Sequence, residues 1–207
     1  MSERSSMVFV VDDDASVREA VGNLLESVGV RSESFASAEE FLHARRPDEP
    51  SCLLLDVRLP GLNGLEFQEV LHKAGIRIPI VFITAHGEVP MASRAMKAGA
   101  VDFLTKPFQK QELLTAVHQA IDRDRVARKA EAAISRVRSK WEKLTPRERE
   151  VMDLVVAGLM NKEIAAKLGV TEITVKVHRG RVMEKMEADS LPELVRMSER
   201  LKSAPRA

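Results

Sequence analysis

Four groups of side chains in the first half of the chain stand where they can do chemistry together. Asp12, Asp13 and Asp14 follow directly on the apolar run Met7 to Val11, and Asp56 follows directly on Cys52-Leu53-Leu54-Leu55. A hydroxyl, Thr84, closes a third run, and an ammonium, Lys106, comes just after a fourth. Each lies at the carboxyl end of a strand-like segment, which is where ligands bind in an open α/β sheet. If the first and third strands are neighbours, three or four carboxylates converge with a hydroxyl and one ammonium. Like charges that close repel and raise one another's pKa unless a cation neutralises them. Hard oxygen ligands in this number suit Mg²⁺, which keeps several waters and favours a phosphate as a further ligand. The set therefore reads as a metal-assisted phosphoryl site with a carboxylate as nucleophile.

The elements that position these groups are legible from periodicity. Strand-like runs at 7–11, 31–35, 52–55, 78–84 and 100–104 alternate with helical patterns near 15–28, 37–44, 64–74, 89–97 and 109–121. Three of the runs are nearly continuous in apolar residues, as expected of parallel strands covered on both faces. Five βα units predict an α/β doubly wound, five-stranded parallel sheet. Ser37 with Glu40 reads as a capping box, and Asp14 as a helix N-cap. From 122 to 142 the pattern turns to alanine and charge with no Gly or Pro, the mark of a helix extending the previous one or of a solvated helical linker. Thr145-Pro146-Arg147-Glu148 then opens a new helix with an N-cap, a proline at the first helical position and a capping glutamate. Helical patterns at about 146–157, 162–168, 172–186 and 191–202 follow, an all-α tail.

Composition bounds the rest. The 207 residues are 44% hydrophobic and 30% charged, enough apolar material for a core. The absence of Tyr and the single Trp argue against a base-stacking surface. One cysteine, Cys52, excludes a disulfide framework and a cysteine-based zinc site. No apolar stretch approaches a membrane span, and no secretory leader precedes the aspartates, so a cytoplasmic protein is expected. Residues 1–124 carry 13 basic against 19 acidic side chains, 125–143 carry 7 against 2, and 144–207 carry 12 against 10. An acidic first half joined through a basic bridge to a mildly basic tail points to a nucleic-acid partner for the basic end. The expected divisions are 1–124, a helical linker at 125–143, and 144–207.

Val10-Val11-Asp12-Asp13, Leu55-Asp56-Val57-Arg58-Leu59-Pro60-Gly61-Leu62-Asn63-Gly64, Thr84-Ala85 and Lys106-Pro107-Phe108 resemble the receiver domain of bacterial two-component response regulators. The resemblance covers about residues 6–121. It implies that Asp56 is the phosphoacceptor, served by a sensor histidine kinase. It also implies that Asp12, Asp13, Asp56 and the backbone carbonyl of Arg58 organise Mg²⁺, and that Thr84 and Lys106 hold the phosphoryl oxygens. Phe103 occupies the family's switch-aromatic position, Lys106–Pro107 is expected to be cis, and Arg58 and His86 stand where they tune water access. A rival reading takes Val10 to Ser16 as the strand-then-DxDx[ST] entry of haloacid-dehalogenase-type phosphatases. Asp12 is then the nucleophile and Asp14 the general acid, but Asp102 stands alone where an acidic pair is needed, and Asp56 has no role.

In the tail, the run from Asn161 to His178 has a helix-turn-helix layout: Asn161 to cap one helix, Ala165 for close packing, Gly169 for the turn and Thr171 to cap the next. Val175, Val182 and Met186 repeat at core spacing, while Lys176, Arg179, Arg181 and Lys185 make the second helix cationic, as phosphate contacts require. Leu144 to Val151, Gly158 to Ala165 and Thr174 to Arg179 resemble the LuxR/FixJ-type DNA-binding domain. The resemblance implies that 171–186 enters the major groove, with Lys176 and Val177 toward bases or phosphates and Thr171, Thr174 and Arg179 supporting backbone contact. His178 is expected to pack or to bind phosphate. Gly180 stands where some relatives present a long basic side chain. The whole is then a transcription regulator that dimerises on phosphorylation, binds double-stranded promoter DNA and engages RNA polymerase, most often as an activator. The competing reading is a receiver-controlled adaptor whose tail binds protein instead of DNA.

Overall fold

The computed structural model describes residues 6–85 and 89–203. It divides into two compact units, one ending at Arg128 and one beginning at Lys129.

In the first unit, β1 (Met7–Val11), β2 (Arg31–Phe35), β3 (Ser51–Asp56), β4 (Ile80–Thr84) and β5 (Asp102–Thr105) form one parallel sheet of order β2-β1-β3-β4-β5. The helices between them are α1 (Ala15–Glu26), α2 (Ala38–His43), α3 (Gly64–Lys73) and α4 (Val89–Lys97). The α/β doubly wound sheet is thus as expected, and β1 and β3 are neighbours. Alternation along β1 sorts two cores. Phe9 and Val11 join Phe41, Phe67 and Phe82 on one face, while Val8 and Val10 join Val21, Leu25 and Val117 on the other. Phe41 meets Phe9 and Phe67 edge-on, with ring centroids 5.4 and 6.1 Å apart, a favoured aromatic geometry. Every residue of the central strand β3 is buried.

The helix after β5, α5 (Lys110–Glu142), is continuous through the segment expected to be a helical linker. Asp124 anchors its middle to the sheet: the carboxylate accepts the Ser51 N–H at 2.9 Å and Arg128 Nε at 2.6 Å. Arg128 also reaches Asp48. Cys52, one residue away, is buried and free; burial pushes its thiol pKa up, and Asp124 adds to the rise.

The second unit has α6 (Pro146–Val156), α7 (Asn161–Leu168), α8 (Glu172–Met186) and α9 (Leu191–Ser203). Its core gathers Val151, Met152, Val155, Ile164, Val175, Val182, Met186 and Leu194. Thr145 and Glu148 form the expected capping box. Asn161 does not cap α7: Met160 takes that position, its N–H bonded to Glu163 at 2.7 Å, and Asn161 is the first helical residue. His86 lies outside the described residues. Among those described, no helix is long and apolar enough to cross a membrane.

Candidate functional site

Sheet register assembles the acidic pocket. Val11 pairs with Leu55, so Asp12 emerges beside Asp56, the last residue of β3. Thr84 ends β4 next to Thr105, and the Lys106 N–H continues that ladder to the Thr84 carbonyl at 2.7 Å. Carboxylate oxygens of Asp12, Asp13 and Asp56 all lie within 4.8 Å of one another. Asp12, Asp56 and Thr84 are buried, and Asp13 is exposed. Lys106 Nζ sits 2.5 Å from Asp12 Oδ2 and 3.6 Å from Asp56 Oδ1, and the Lys106–Pro107 peptide is cis.

The charges act on one another. Burial raises the Asp56 pKa above its ordinary value; Lys106 opposes this, Asp12 and Asp13 add to it, and the Arg58 N–H opposes it again. Loss of solvent is thus the main reason, and the two neighbouring carboxylates add to it. Three oxygen donors, two of them buried, can hold a small hard dication with room for water on the Asp13 side. Asp14 stands apart: its carboxylate accepts from the Ser16 N–H and hydroxyl at 2.8 and 2.6 Å, caps α1, and is held below its ordinary pKa by those bonds. Its hydrogen-bonding capacity is spent on capping α1, the helix-cap role expected of it.

Two residues that shape the pocket escaped the sequence reading as functional groups. Arg18 donates to the main-chain carbonyls of Asp12 and Asp13 at 2.6 and 2.9 Å, fixing the loop that carries both acids. Gly64 begins α3 against the end of β3, where a Cβ would lie 2.4 Å from the Asp56 carbonyl oxygen. Its N–H donates to the Val57 carbonyl at 2.8 Å. A glycine at the first position of a capped helix was the available signal. Phe103 is half-buried, its ring 6.2 Å from that of Phe82.

In the second unit, Gly169 turns the chain in a left-handed conformation (φ 64°) between α7 and α8. Thr171 caps α8 by accepting from the Thr174 N–H, and the two hydroxyls also bond each other at 2.9 Å. Val175, Val182 and Met186 face the core, leaving Ile173, Lys176, Val177, Gly180 and Arg181 on the outer face. The four cations expected on this helix divide. Lys176 and Arg181 are exposed, Arg179 donates to Asn161 at 3.1 Å, and Lys185 bonds Glu148 at 2.6 Å. Lys185 is therefore first a structural partner: the buried Glu148 carboxylate needs a counter-charge, and Lys185 is the cation within reach. His178 is half-buried, and its Nδ1 has no partner among the described residues.

Residues 8–118 match the response regulator receiver domain family, and residues 142–198 match the bacterial regulatory proteins of the luxR family. Nodulation protein W of Bradyrhizobium diazoefficiens is 56% identical over 196 residues, covering 95% of this chain and 86% of that protein. The solved structure of the response regulator StyR is 49% identical, with a TM-score of 0.85 over 95% of this chain and 99% of that one. Full-length FixJ from B. japonicum is 39% identical, with a TM-score of 0.57 over 99% and 100% of the two chains. An acidic pocket at the strand ends of the first unit, a helix-turn-helix in the second and relatives matched along both parts make this chain a member of the two-component response regulators, built from a receiver domain and a LuxR-type DNA-binding domain.

Proposed function

We propose that the protein is switched by phosphorylation of Asp56 and that the phosphorylated form binds promoter DNA in the cytoplasm. The observation that carries this is the Asp56 carboxylate itself, buried at a strand end, crowded by Asp12 and Asp13, with Lys106 3.6 Å away. Asp12, Asp13, Asp56 and the main-chain carbonyl of Arg58 would hold Mg²⁺, a fit supported by the all-oxygen donor set. When bound, the ion neutralises the pocket and the incoming phosphoryl oxygens.

The ionised Asp56 oxygen attacks the phosphorus of a phosphohistidine on a sensor kinase. The new P–O bond forms as the P–N bond breaks, and the electron pair of that bond stays with the imidazole nitrogen. Lys106 shifts its attention from Asp12 to the phosphoryl group, and the Thr84 hydroxyl donates to it. Phosphorylation replaces the single carboxylate charge with an acyl phosphate carrying up to about two, a net gain of about one negative charge. That pulls the end of β4 inward, so that Phe103, which already lies against Phe82, is repacked. The face made by α4, β5 and the first turns of α5 then favours a second copy of the chain. Pairing receivers raises the effective concentration of one DNA-binding domain beside the other's half-site. Thr171, Thr174, Lys176, Val177 and Arg179 are the proposed contacts or supports at DNA, and RNA polymerase is the proposed partner of the bound dimer.

The test is sedimentation of the full chain with Mg²⁺, before and after acetyl phosphate. A monomer-to-dimer shift that vanishes in Asp56→Asn is expected. Phosphate incorporated without any shift would discard dimerisation as the output, and undiminished incorporation in Asp56→Asn would discard the assigned nucleophile.

A further inference from the structure

Large apolar side chains rarely stand in water without a reason when they cluster, and α8 carries two on one face. Ile173 is 77% exposed and Val177 48% exposed. They are four residues apart, so they share one face of the helix and lie about 6 Å apart along its axis. The core does not need them: Val175, Val182 and Met186 supply the buried side of α8. Continuing the same stripe, Gly180 has no side chain, and a Cβ built there would meet nothing within 4 Å. Exposed Lys176 and Arg181 flank the stripe, so its surroundings are cationic and suit a polyanion.

We propose that Ile173 is a base-reading residue that, with Val177, recognises the 5-methyl groups of thymine in the major groove. This rests on the reading of α8 as the DNA-reading helix. The thymine methyl is the one apolar group that a base pair shows in the major groove, and aliphatic side chains are its natural partners. Ile173 is the second residue of α8, and the N-terminal residues of a reading helix are those that reach base edges. Gly180 leaves the stripe without a long cationic arm that would compete for a guanine edge. The spacing of about 6 Å corresponds to nearly two base steps of about 3.4 Å, so the two methyl readers address thymines one or two positions apart.

The test uses the full-length protein, treated with Mg²⁺ and acetyl phosphate, to enrich duplexes from a random pool. Each thymine of the enriched site is then replaced singly by deoxyuridine, which removes only the methyl. The wild type is expected to lose about three- to fourfold in affinity at two positions, the worth of one buried carbon each. Ile173→Ala is expected to abolish the thymine–uracil difference at one of them and Val177→Ala at the other. The salt dependence is expected to stay unchanged, because no phosphate contact is removed. Equal affinity for every deoxyuridine duplex, or full discrimination retained by Ile173→Ala, overturns the inference while leaving DNA binding intact. Failure to enrich any duplex overturns the DNA-binding reading beneath it.

Discussion

Replacing Gly64 by alanine adds a single methyl group at the worst place in the receiver. The glycine has no left-handed backbone to justify it; what demands it is proximity. The new Cβ would fall 2.4 Å from the Asp56 carbonyl oxygen, 3.1 Å from Val57 Cα and 3.2 Å from the Asp56 carbonyl carbon. All three obstacles are backbone, so no side chain can swing aside. Reaching an ordinary contact of 3.4 Å requires about 1 Å of movement between α3 and the end of β3. Overpacking of this kind costs about 1–3 kcal/mol. Stretching the Gly64–Val57 hydrogen bond adds about 1 kcal/mol, and the helix preference of alanine returns about 0.5–1 kcal/mol. A net loss of about 1–3 kcal/mol is expected in urea unfolding. Because the displaced residue is the proposed phosphoacceptor, acetyl phosphate labelling is expected to slow by on the order of 100-fold, the usual consequence of a 1 Å misplacement. Gly22→Ala is the control: it lies inside α1 with only Ser32 Oγ at 4.0 Å, so the same methyl is expected to stabilise. Wild-type stability and labelling rate in Gly64→Ala would refute the reasoning.

Mg²⁺ at ten times its dissociation constant is expected to stabilise the receiver by about 1.4 kcal/mol through mass action; the shift in unfolding midpoint should disappear in Asp13→Asn. Although burial raises the Glu148 pKa, hydrogen bonds from Lys185 and Thr145 outweigh it, so the folded value lies below the ordinary 4.5. Its contribution is therefore complete above about pH 4.5 and lost as pH falls through the lower folded value. Unfolding followed by the single tryptophan, Trp141, which packs on the second core, should show this loss in the wild type and much less of it in Glu148→Gln. At pH 7 that variant should be weaker by about 1–2 kcal/mol, a reduced figure because Lys185 is one-third exposed. Asp124→Ala orphans the buried Ser51 N–H and is expected to cost about 1–3 kcal/mol in urea titration of the full chain.

The two core faces and the pocket were legible because strands ending in acids leave a strong local pattern. Val8 to Val11 alternate between faces by simple pleat geometry, and Asp12 and Asp56 meet once their strands are neighbours. Arg18 was not legible, because its partners are main-chain carbonyls of a loop and nothing in the side-chain sequence marks a carbonyl as available. Gly64 was placed at the start of the 64–74 helix, but a glycine required by close approach is indistinguishable in sequence from one tolerated there. The cationic face of α8 misled in a different way. Composition counts Lys185 and Arg179 as charges for DNA, whereas distant partners, Glu148 and Asn161, had already claimed them. Asn161 itself seemed a helix cap because of its type, but the cap falls one residue earlier and Glu163 serves it.

A single oxygen atom, Glu148 Oε2, accepts both the Thr145 N–H at 2.8 Å and Lys185 Nζ at 2.6 Å. One bond spans three residues and the other thirty-seven. The short one forms locally and freezes the rotamers of the glutamate as α6 begins, so its ordering entropy is already spent when α8 arrives. Only the lysine then has to be immobilised to close the distant contact. The start of α6 and the end of α8 are in this way one cooperative piece. Amide protons at both should exchange at the same free energy of opening, and α8 should hold its shape in the absence of DNA.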